Sequence, residues 1–390
     1  SIPRFSYCRR MRKIVFAIAC LALTVLGTGN IQAQDYMDEA PNTYRPLLQK
    51  LGKKLMKDKQ GSIVAVDPAT GEVLCLVTNS PDGSNDALAI GTAYPPGSTI
   101  KPAQALTLLS EGIVTPATKV VCKGSYRDGN IKVGCHKHYS PEPLEGALAV
   151  SCNTWFLKSY LSMLGNTRKY ETKEKAVNVW HDYLTSMGLG GPVGIDMPDE
   201  KGGLVANVNY LSRRYKDGWI PSTIMWNGIG QGDITVTPLQ LCNLAATIAN
   251  RGFYYIPHVH KNSKSMPLPE RYLTPRRTKV AASAYGPVIA GMRMAVTKGT
   301  ATVVNNPDYP VCGKTGTAEN PGKDHSAFIG FAPMDRPKIA IAVYIEHGGF
   351  GADVAAPIAG LIMEEYLKGK LSKPSSELAK RIEKTKTIEE

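Results

Sequence analysis

The chain has 390 residues, of which 43% are hydrophobic and 20% are charged, and its formal net charge is +13. This composition excludes a disordered chain, and the length suffices for one large catalytic domain or two small ones. The charge indicates either a solvated basic surface or an anionic partner such as a membrane face, a cell-wall polymer or nucleic acid. Because no zinc-finger spacing, aromatic RNA-binding signature or arginine-rich run is present, nucleic acid is not expected as a partner.

The first 33 residues have the layout of a secretory signal. A basic stretch, Arg9–Lys13, precedes an apolar run from Ile14 to Leu26, and Ile31-Gln32-Ala33 offers a cleavage site. The run is shorter than the roughly 20 residues that cross a membrane, and an uncleaved anchor is the alternative. The pattern predicts an exported protein, either periplasmic or attached to the outer side of the inner membrane.

Apolar periodicity and turn signals then predict two strands, a helical middle and three more strands. A helical lead-in is expected at 34–60 and a hairpin at 61–77. Helices are expected at 98–110, 142–164, 172–187, 237–250, 284–297 and 352–367. An irregular stretch rich in Cys and His is expected at 119–140, and a Gly-rich loop region at 188–232. The last strands are expected at 311–317, 326–332 and 339–346.

Strands near both ends of the chain predict one antiparallel, five-stranded sheet that the two ends complete together. The fold class is therefore α+β, with helices flanking the sheet and a mainly helical subdomain at about 98–300 inserted between its strands. We expect this domain to span 34–370. A signal or anchor segment precedes it at 1–33, and a charged, frayed tail follows it at 371–390.

Ser98 and Lys101 are the first candidate catalytic pair. The tetrapeptide Ser98-Thr99-Ile100-Lys101 follows a Pro-Pro-Gly turn and opens a predicted helix, on which residues three apart share a face. A serine hydroxyl needs a base within hydrogen-bond reach. Burial and a second cation, here Lys314, both lower the pKa of a lysine, so Lys101 can be that base. Taken alone, the tetrapeptide would rather indicate an N-capping serine and a surface lysine.

Ser151 and Asn153 open another predicted helical stretch and form the second candidate motif. Ser151 is expected to relay a proton between Lys101, Lys314 and a leaving amine. Asn153 is expected to hold a substrate amide and to orient Lys101. Simple helix capping is the alternative for an isolated Ser-x-Asn.

The third motif, Lys314-Thr315-Gly316-Thr317, lies on a predicted strand. Such a strand binds a substrate by adding it as a further β-strand, and Gly316 allows the two backbones to approach closely. Thr315 and Thr317 are expected to contact a carboxylate, and the N–H of Thr317 to join the N–H of Ser98 in an oxyanion hole. An edge strand with a surface lysine is the alternative.

The three motifs together resemble those of penicillin-binding proteins and serine β-lactamases. Further segments are similar to the transpeptidase domain of class B penicillin-binding proteins: Gly61–Val73, Gly228–Gly232, Val236–Gln240 and Phe328–Pro333. The segment around Cys122, Cys135 and Cys152 is most similar to the elongation-type branch. The resemblance covers roughly residues 45 to 368.

This resemblance implies a β-lactamase/transpeptidase-like fold and the activity of a peptidoglycan D,D-transpeptidase. Ser98 would attack the D-Ala-D-Ala carbonyl of a stem peptide, and the acyl-enzyme would pass to an amine of a neighbouring stem. The implied partners are peptidoglycan stem peptides, β-lactam antibiotics that acylate Ser98, and other cell-wall synthesis proteins. Family members usually carry a long pedestal domain before this one, whereas here the domain follows the leader almost directly.

Three alternatives share the fold. A compact D,D-carboxypeptidase would release the acyl group to water. A serine β-lactamase would need a deacylating water, but the region 188–232 offers no clear counterpart of the glutamate that class A enzymes use. A penicillin sensor is less favoured, because it would need a signalling domain across a membrane span and the leader leaves no room for one. A non-catalytic scaffold is also less favoured, because it would be expected to have lost Ser98 or Lys101, and both are present.

Cys122, Cys135, His138 and Cys152 form a candidate metal site, since three thiolates and one imidazole are a standard structural zinc set. A Cys122–Cys135 disulfide is the alternative, which an exported compartment permits. The zinc would be structural and would fix the neighbouring Ser151 motif through Cys152. Catalysis itself is expected to need no cofactor.

Overall fold

The computed structural model describes residues 42–83 and 87–388, so the predicted leader lies outside the described residues. The helices are α1 (Pro46–Leu55), α2 (Leu88–Gly91), α3 (Lys101–Ser110), α4 (Leu144–Ala149), α5 (Asn153–Leu164), α6 (Thr167–Tyr170), α7 (Lys173–Ser186), α8 (Val208–Tyr215), α9 (Pro238–Ala249), α10 (Tyr285–Lys298), α11 (Ala355–Lys368) and α12 (Lys373–Lys384). In this part of the chain, no helix combines the length and the apolar character that crossing a membrane requires.

The long strands lie near the two ends of the chain, and the short strands lie in the helical middle. They are β1 (Gly61–Val66), β2 (Val73–Asn79), β3 (Ser125–Asp128), β4 (Ile131–Gly134), β5 (Leu204–Val205), β6 (Ile234–Thr235), β7 (Phe253–Tyr254), β8 (Arg276–Arg277), β9 (Cys312–Ala318), β10 (His325–Ala332) and β11 (Ile339–Ile345).

The five long strands form one antiparallel sheet in the order β2-β1-β11-β10-β9. The first strand pairs with the last, with Gly61 opposite Ile345 and Val66 opposite Ala340. The prediction of an α+β fold whose sheet is completed by both chain ends is therefore confirmed. β9, which carries the Lys-Thr-Gly motif, lies at one edge of the sheet.

Both faces of the sheet are buried, so its strands read as nearly continuous apolar runs. Because side chains alternate along a strand, Val64 and Val66 of β1 pack into the core of the helical middle. Ile63 and Ala65 pack on the other face, in the core formed with the terminal helices α1, α11 and α12. Packing on two sides holds the sheet rigidly, and β9 with it.

The predicted helix at 142–164 is interrupted. It forms α4 and α5, and Ser151 between them has a φ of 58°. A left-handed residue cannot continue a right-handed helix, so the chain turns at the second candidate motif. The turn brings the start of α5, with Asn153, to the position from which its side chain reaches Lys101.

Three other stretches are more ordered than predicted. The irregular stretch at 119–140 contains the hairpin β3–β4, and the loop region at 188–232 contains β5, α8 and a 3₁₀ helix, Pro221–Ile229. The prediction of a frayed tail at 371–390 is wrong for most of its length. There α12 packs Ile382, 2% exposed, into the core of the terminal helices. The helix is amphipathic, and its apolar face makes this packing possible although most of its other residues are charged or polar.

Candidate active site

Ser98 lies in a 3₁₀ turn that continues into α3 at Lys101. The turn packs against the Gly-rich loop, where the N–H of Gly97 donates to the carbonyl of Gly230 at 2.9 Å. Gly97 has a φ of 57°, and a Cβ on it would lie 2.7 Å from the carbonyl oxygen of Thr317. Glycine is therefore required where the serine turn touches the Lys-Thr-Gly strand.

One cavity of about 640 Å³ brings the three motifs together. Its lining includes Ser98, Ser151, Asn153, Thr315, Gly316 and Thr317. Lys101 and Lys314 are fully buried and contact Ser151. All eight predicted catalytic and substrate-binding residues therefore converge on one place, although more than 200 residues separate the first from the last.

The Ser151 hydroxyl lies between the two buried amines. Lys101 Nζ donates to Ser151 Oγ at 3.1 Å and to Asn153 Oδ1 at 2.7 Å. Lys314 Nζ donates to Ser151 Oγ at 2.9 Å and to the carbonyl of Thr315 at 2.8 Å. Among the hydrogen bonds of the described residues, none joins the Ser98 hydroxyl to Lys101.

Burial lowers the pKa of both amines, because a low-dielectric surrounding disfavours a charge. The pKa of Lys101 falls to about 8, and the electrostatic effect of the neighbouring Cys152 and Cys135 side chains limits the fall. The pKa of Lys314 is lowered by burial and then by the positive charge of Lys101. The sequence predicted that Lys314 would lower the pKa of Lys101. In the structure, the charge of Lys101 instead lowers the pKa of Lys314. A positive charge on Lys101 disfavours one on Lys314, because both amines contact the Ser151 hydroxyl.

The amide of Asn153 is fixed from both sides. Its oxygen accepts from Lys101, and its Nδ2 donates to the carbonyl of Gly134 at 2.9 Å. Gly134 is the last residue of β4, so the hairpin β3–β4 supports the site although the sequence predicted no strand there. The two partners together decide which amide atom faces Lys101.

Sequence reasoning missed several residues of the cavity wall. Thr300 bonds the Thr315 hydroxyl at 2.7 Å, and Gly351 N–H donates to Thr317 Oγ1 at 3.3 Å. Phe350 is 55% exposed, and its ring meets that of His136 with centroids 6.0 Å apart. The glycines around Phe350 indicate that loops approach closely there. No feature of the neighbouring sequence identifies Thr300 as a residue of the site.

The four predicted metal ligands also come together. The donor atoms of Cys122, Cys135, His138 and Cys152 lie within 4.8 Å of one another. The structure leaves these three thiols free, without a disulfide. Thiolates around a tetrahedral zinc lie roughly 3.8 Å apart at the usual Zn–S length. The cluster is therefore of the right size for a zinc ion.

The hydrogen bonds of the cluster also fit a metal. His138 Nδ1 bonds the carbonyl of Tyr139 at 2.5 Å, so Nδ1 carries the hydrogen and Nε2 keeps its lone pair. His138 Nε2 is buried and has no hydrogen-bond partner. The pKa of Cys135 is lowered to about 4, chiefly by a hydrogen bond from Cys152. The lowered pKa of Cys135 and the unsatisfied imidazole nitrogen of His138 both suit a metal ligand.

Comparison with known proteins decides the family. The family model of the penicillin-binding protein transpeptidase domain matches residues 61–364. The chain belongs to this family. Peptidoglycan D,D-transpeptidase MrdA of Acinetobacter baumannii is 31% identical over 372 residues, covering 80% of this chain and 52% of the relative. The chain thus spans about half the length of this curated relative.

Solved penicillin-binding proteins share the fold. Pseudomonas aeruginosa PBP2 in complex with WCK 5153 matches with a TM-score of 0.74 at 30% identity, covering 85% of this chain and 77% of that chain. A chain of a peptidoglycan synthase complex, in which polymerization and crosslinking are coordinated, matches with a TM-score of 0.72 at 28% identity, covering 85% and 63%. The predicted resemblance to class B, elongation-type penicillin-binding proteins is confirmed.

Proposed function

We propose that the protein is a peptidoglycan D,D-transpeptidase that forms cross-links through an acyl-enzyme on Ser98. The observation that carries this proposal is the Ser151 hydroxyl between two buried amines, in the cavity that Ser98 lines. This arrangement places an amine of lowered pKa near the nucleophile, so that a base is available without any histidine. The membership of the family and the relative named as a D,D-transpeptidase support the same activity.

Acylation begins with the donor stem peptide along the edge strand β9. Its terminal carboxylate meets the hydroxyls of Thr315 and Thr317, and Ser98 Oγ attacks the carbonyl between the two D-Ala residues. Neutral Lys101 accepts the proton from Ser98, through a hydrogen bond that forms only when substrate is bound. The backbone N–H groups of Ser98 and Thr317 stabilise the oxyanion.

The proton then moves to the leaving amine. Ser151 connects Lys101 with Lys314, so its hydroxyl passes the proton through the pair to the nitrogen of the departing D-Ala. An amine of a neighbouring stem attacks the ester carbonyl, gives up its proton along the same route, and Ser98 leaves with a proton. A β-lactam follows the first half of this path, and its leaving nitrogen stays attached to the acyl group.

A structural zinc ion belongs to the proposal. Cys122, Cys135, His138 and Cys152 would hold it, and the ion would fix the position of the segment that ends in Ser151 and Asn153. The buried, unpartnered Nε2 of His138 favours the metal over a Cys122–Cys135 disulfide, which would leave that nitrogen unsatisfied. The catalytic steps use the side chains of the chain and no cofactor.

The substrate implies the location and the partners. Peptidoglycan lies outside the cytoplasm, and the leader pattern of residues 1–33 agrees with export to the periplasm or to the outer side of the inner membrane. The partners are stem peptides, β-lactams and other cell-wall synthesis proteins, not nucleic acid. The match to a chain of a peptidoglycan synthase complex supports partners of that kind.

One observation disfavours the serine β-lactamase. Glu200 is the only glutamate between residues 188 and 232. Its carboxylate accepts the backbone N–H groups of Val193, Gly194 and Ile195 at 2.6, 2.8 and 3.0 Å. A carboxylate held in this way organises a loop and is not available to activate a deacylating water.

The activity is tested with a stem pentapeptide and an acceptor stem. D-Ala release together with a cross-linked dimer is the expected result, whereas release without a dimer would identify a D,D-carboxypeptidase. A fluorescent penicillin followed by a chase separates the remaining alternatives. A stable label supports the proposal, and a quickly lost label would identify a β-lactamase. No label under any condition would contradict the proposed chemistry.

A further inference from the structure

Thr300 contacts the candidate site from outside the three motifs. It follows α10, lines the cavity, and its Oγ1 lies 2.7 Å from Oγ1 of Thr315. Its backbone N–H donates to the carbonyl of Ala149 at 3.0 Å. A Cβ on the preceding Gly299 would lie 2.2 Å from the same carbonyl oxygen, so the turn fits closely. Thr300 thus bridges the segment before Ser151 and the strand that carries Thr315.

In the hydrogen bond between the Thr300 and Thr315 hydroxyls, one is the donor and the other the acceptor. If Thr315 donates to Thr300, it presents only lone pairs to a ligand, and these repel a carboxylate. If Thr300 donates, the hydrogen of Thr315 is free to donate to that carboxylate. Among the described residues, Thr315 is the one hydrogen-bond partner of the Thr300 hydroxyl. Thr315 is only 7% exposed, so water does not easily replace this contact.

We propose that Thr300 is a positioning residue that turns the hydroxyl hydrogen of Thr315 toward the terminal carboxylate of the acyl donor. The inference rests on the proposed function, because only an anionic donor needs this orientation. A chain of hydrogen bonds from Thr300 through Thr315 to the anion also strengthens each bond in it. Thr300 therefore contributes to recognition of the carboxylate and takes no part in the proton transfers.

The test compares two ligands that differ in one charge. The second-order rate of acylation is measured with benzylpenicillin and with its methyl ester, which lacks the carboxylate. Thr300→Val keeps the shape and removes the hydroxyl, and we expect about a tenfold slower reaction with the acid only. Thr300→Ser keeps the hydroxyl and should restore the rate. Thr297→Val, an exposed position whose hydroxyl bonds Met294 in the same helix, should change neither rate.

The ratio of the acid rate to the ester rate does not depend on how much of a variant folds, and Thr300→Ala supplies a second hydroxyl-free protein. An unchanged ratio in both Thr300→Val and Thr300→Ala would overturn the inference, whether both rates stay the same or fall by the same factor. If the wild-type protein is not acylated by either ligand, the proposed function itself fails. These results are therefore distinguishable.

Discussion

Replacing Ser151 with glycine and with alanine separates its chemistry from its backbone strain. Both changes remove the hydroxyl that accepts from Lys101 at 3.1 Å and from Lys314 at 2.9 Å. Each amine keeps another acceptor, namely Asn153 Oδ1 at 2.7 Å and the carbonyl of Thr315 at 2.8 Å. The fold should therefore survive, while the connection between the two amines is lost.

The magnitudes follow from the same contacts. Removing a group that mediates proton transfer slows a reaction on the order of 10²- to 10⁴-fold. Penicillin should therefore acylate both variants at least about 100-fold more slowly than the wild-type protein. Ser151 has a φ of 58°. Left-handed backbone costs a residue with a Cβ roughly 1–2 kcal/mol, which glycine avoids. Ser151→Gly should therefore unfold at a higher temperature than Ser151→Ala and be equally slow.

Stopped-flow acylation with a fluorescent penicillin and thermal unfolding measure the two effects independently. Acylation of both variants at nearly the wild-type rate would refute the argument that Ser151 links the amines. A slow Ser151→Ala beside a fast Ser151→Gly would show that the backbone, and not the hydroxyl, determines the rate.

Three further predictions concern charge, metal and packing. The acylation rate should rise with pH through about 8 and then level off, since the pKa of Lys101 is about 8; a profile without this inflection contradicts its role as base. Because that pKa is below the ordinary 10.5 of a lysine, Lys101 binds more protons in the unfolded state between these values. The contribution of Lys101 to the free energy of unfolding should therefore increase from about pH 8 to pH 10.5, which urea titrations detect as the difference in pH dependence between the wild-type protein and Lys101→Met. Metal analysis should find one zinc per chain, and His138→Gln should lower both the zinc content and the thermal stability. A protein without zinc whose mass is two hydrogens below that of the fully reduced chain would contain a disulfide instead and would contradict this prediction. Gly230→Ala places a Cβ 1.9 Å from the Gly97 carbonyl and should abolish penicillin labelling, whereas Gly286→Ala meets no atom within 4 Å and should label normally.

The sequence could point to the candidate site because the motifs that form it are short and local. Ser98 and Lys101 are one turn apart on any helix, and Lys314–Thr317 reads as a strand in isolation. The five-stranded sheet was predictable for a similar reason, since its strands are buried on both faces and stand out as apolar runs. Only the fold, however, brings the three motifs into one cavity.

The features that sequence reasoning missed depend on tertiary contacts or on exceptions to periodicity. Apolar spacing continues through 142–164, so it hides the left-handed turn at Ser151. The charges of the tail hide the apolar face of α12. Thr300 is functionally interesting only because of its neighbour Thr315, which lies 15 residues away in sequence and 2.7 Å away between hydroxyl oxygens.

The most direct test of the central claim is the rate at which penicillin acylates Ser98 in the wild-type protein and in Lys101→Met, with the adduct located by peptide mass mapping. Methionine fills the same buried space without an amine, so the account predicts an adduct on Ser98 that forms more slowly by about 10²-fold or more in the variant. Lys101→Met reacting at the wild-type rate, or a wild-type adduct on any residue other than Ser98, would contradict it.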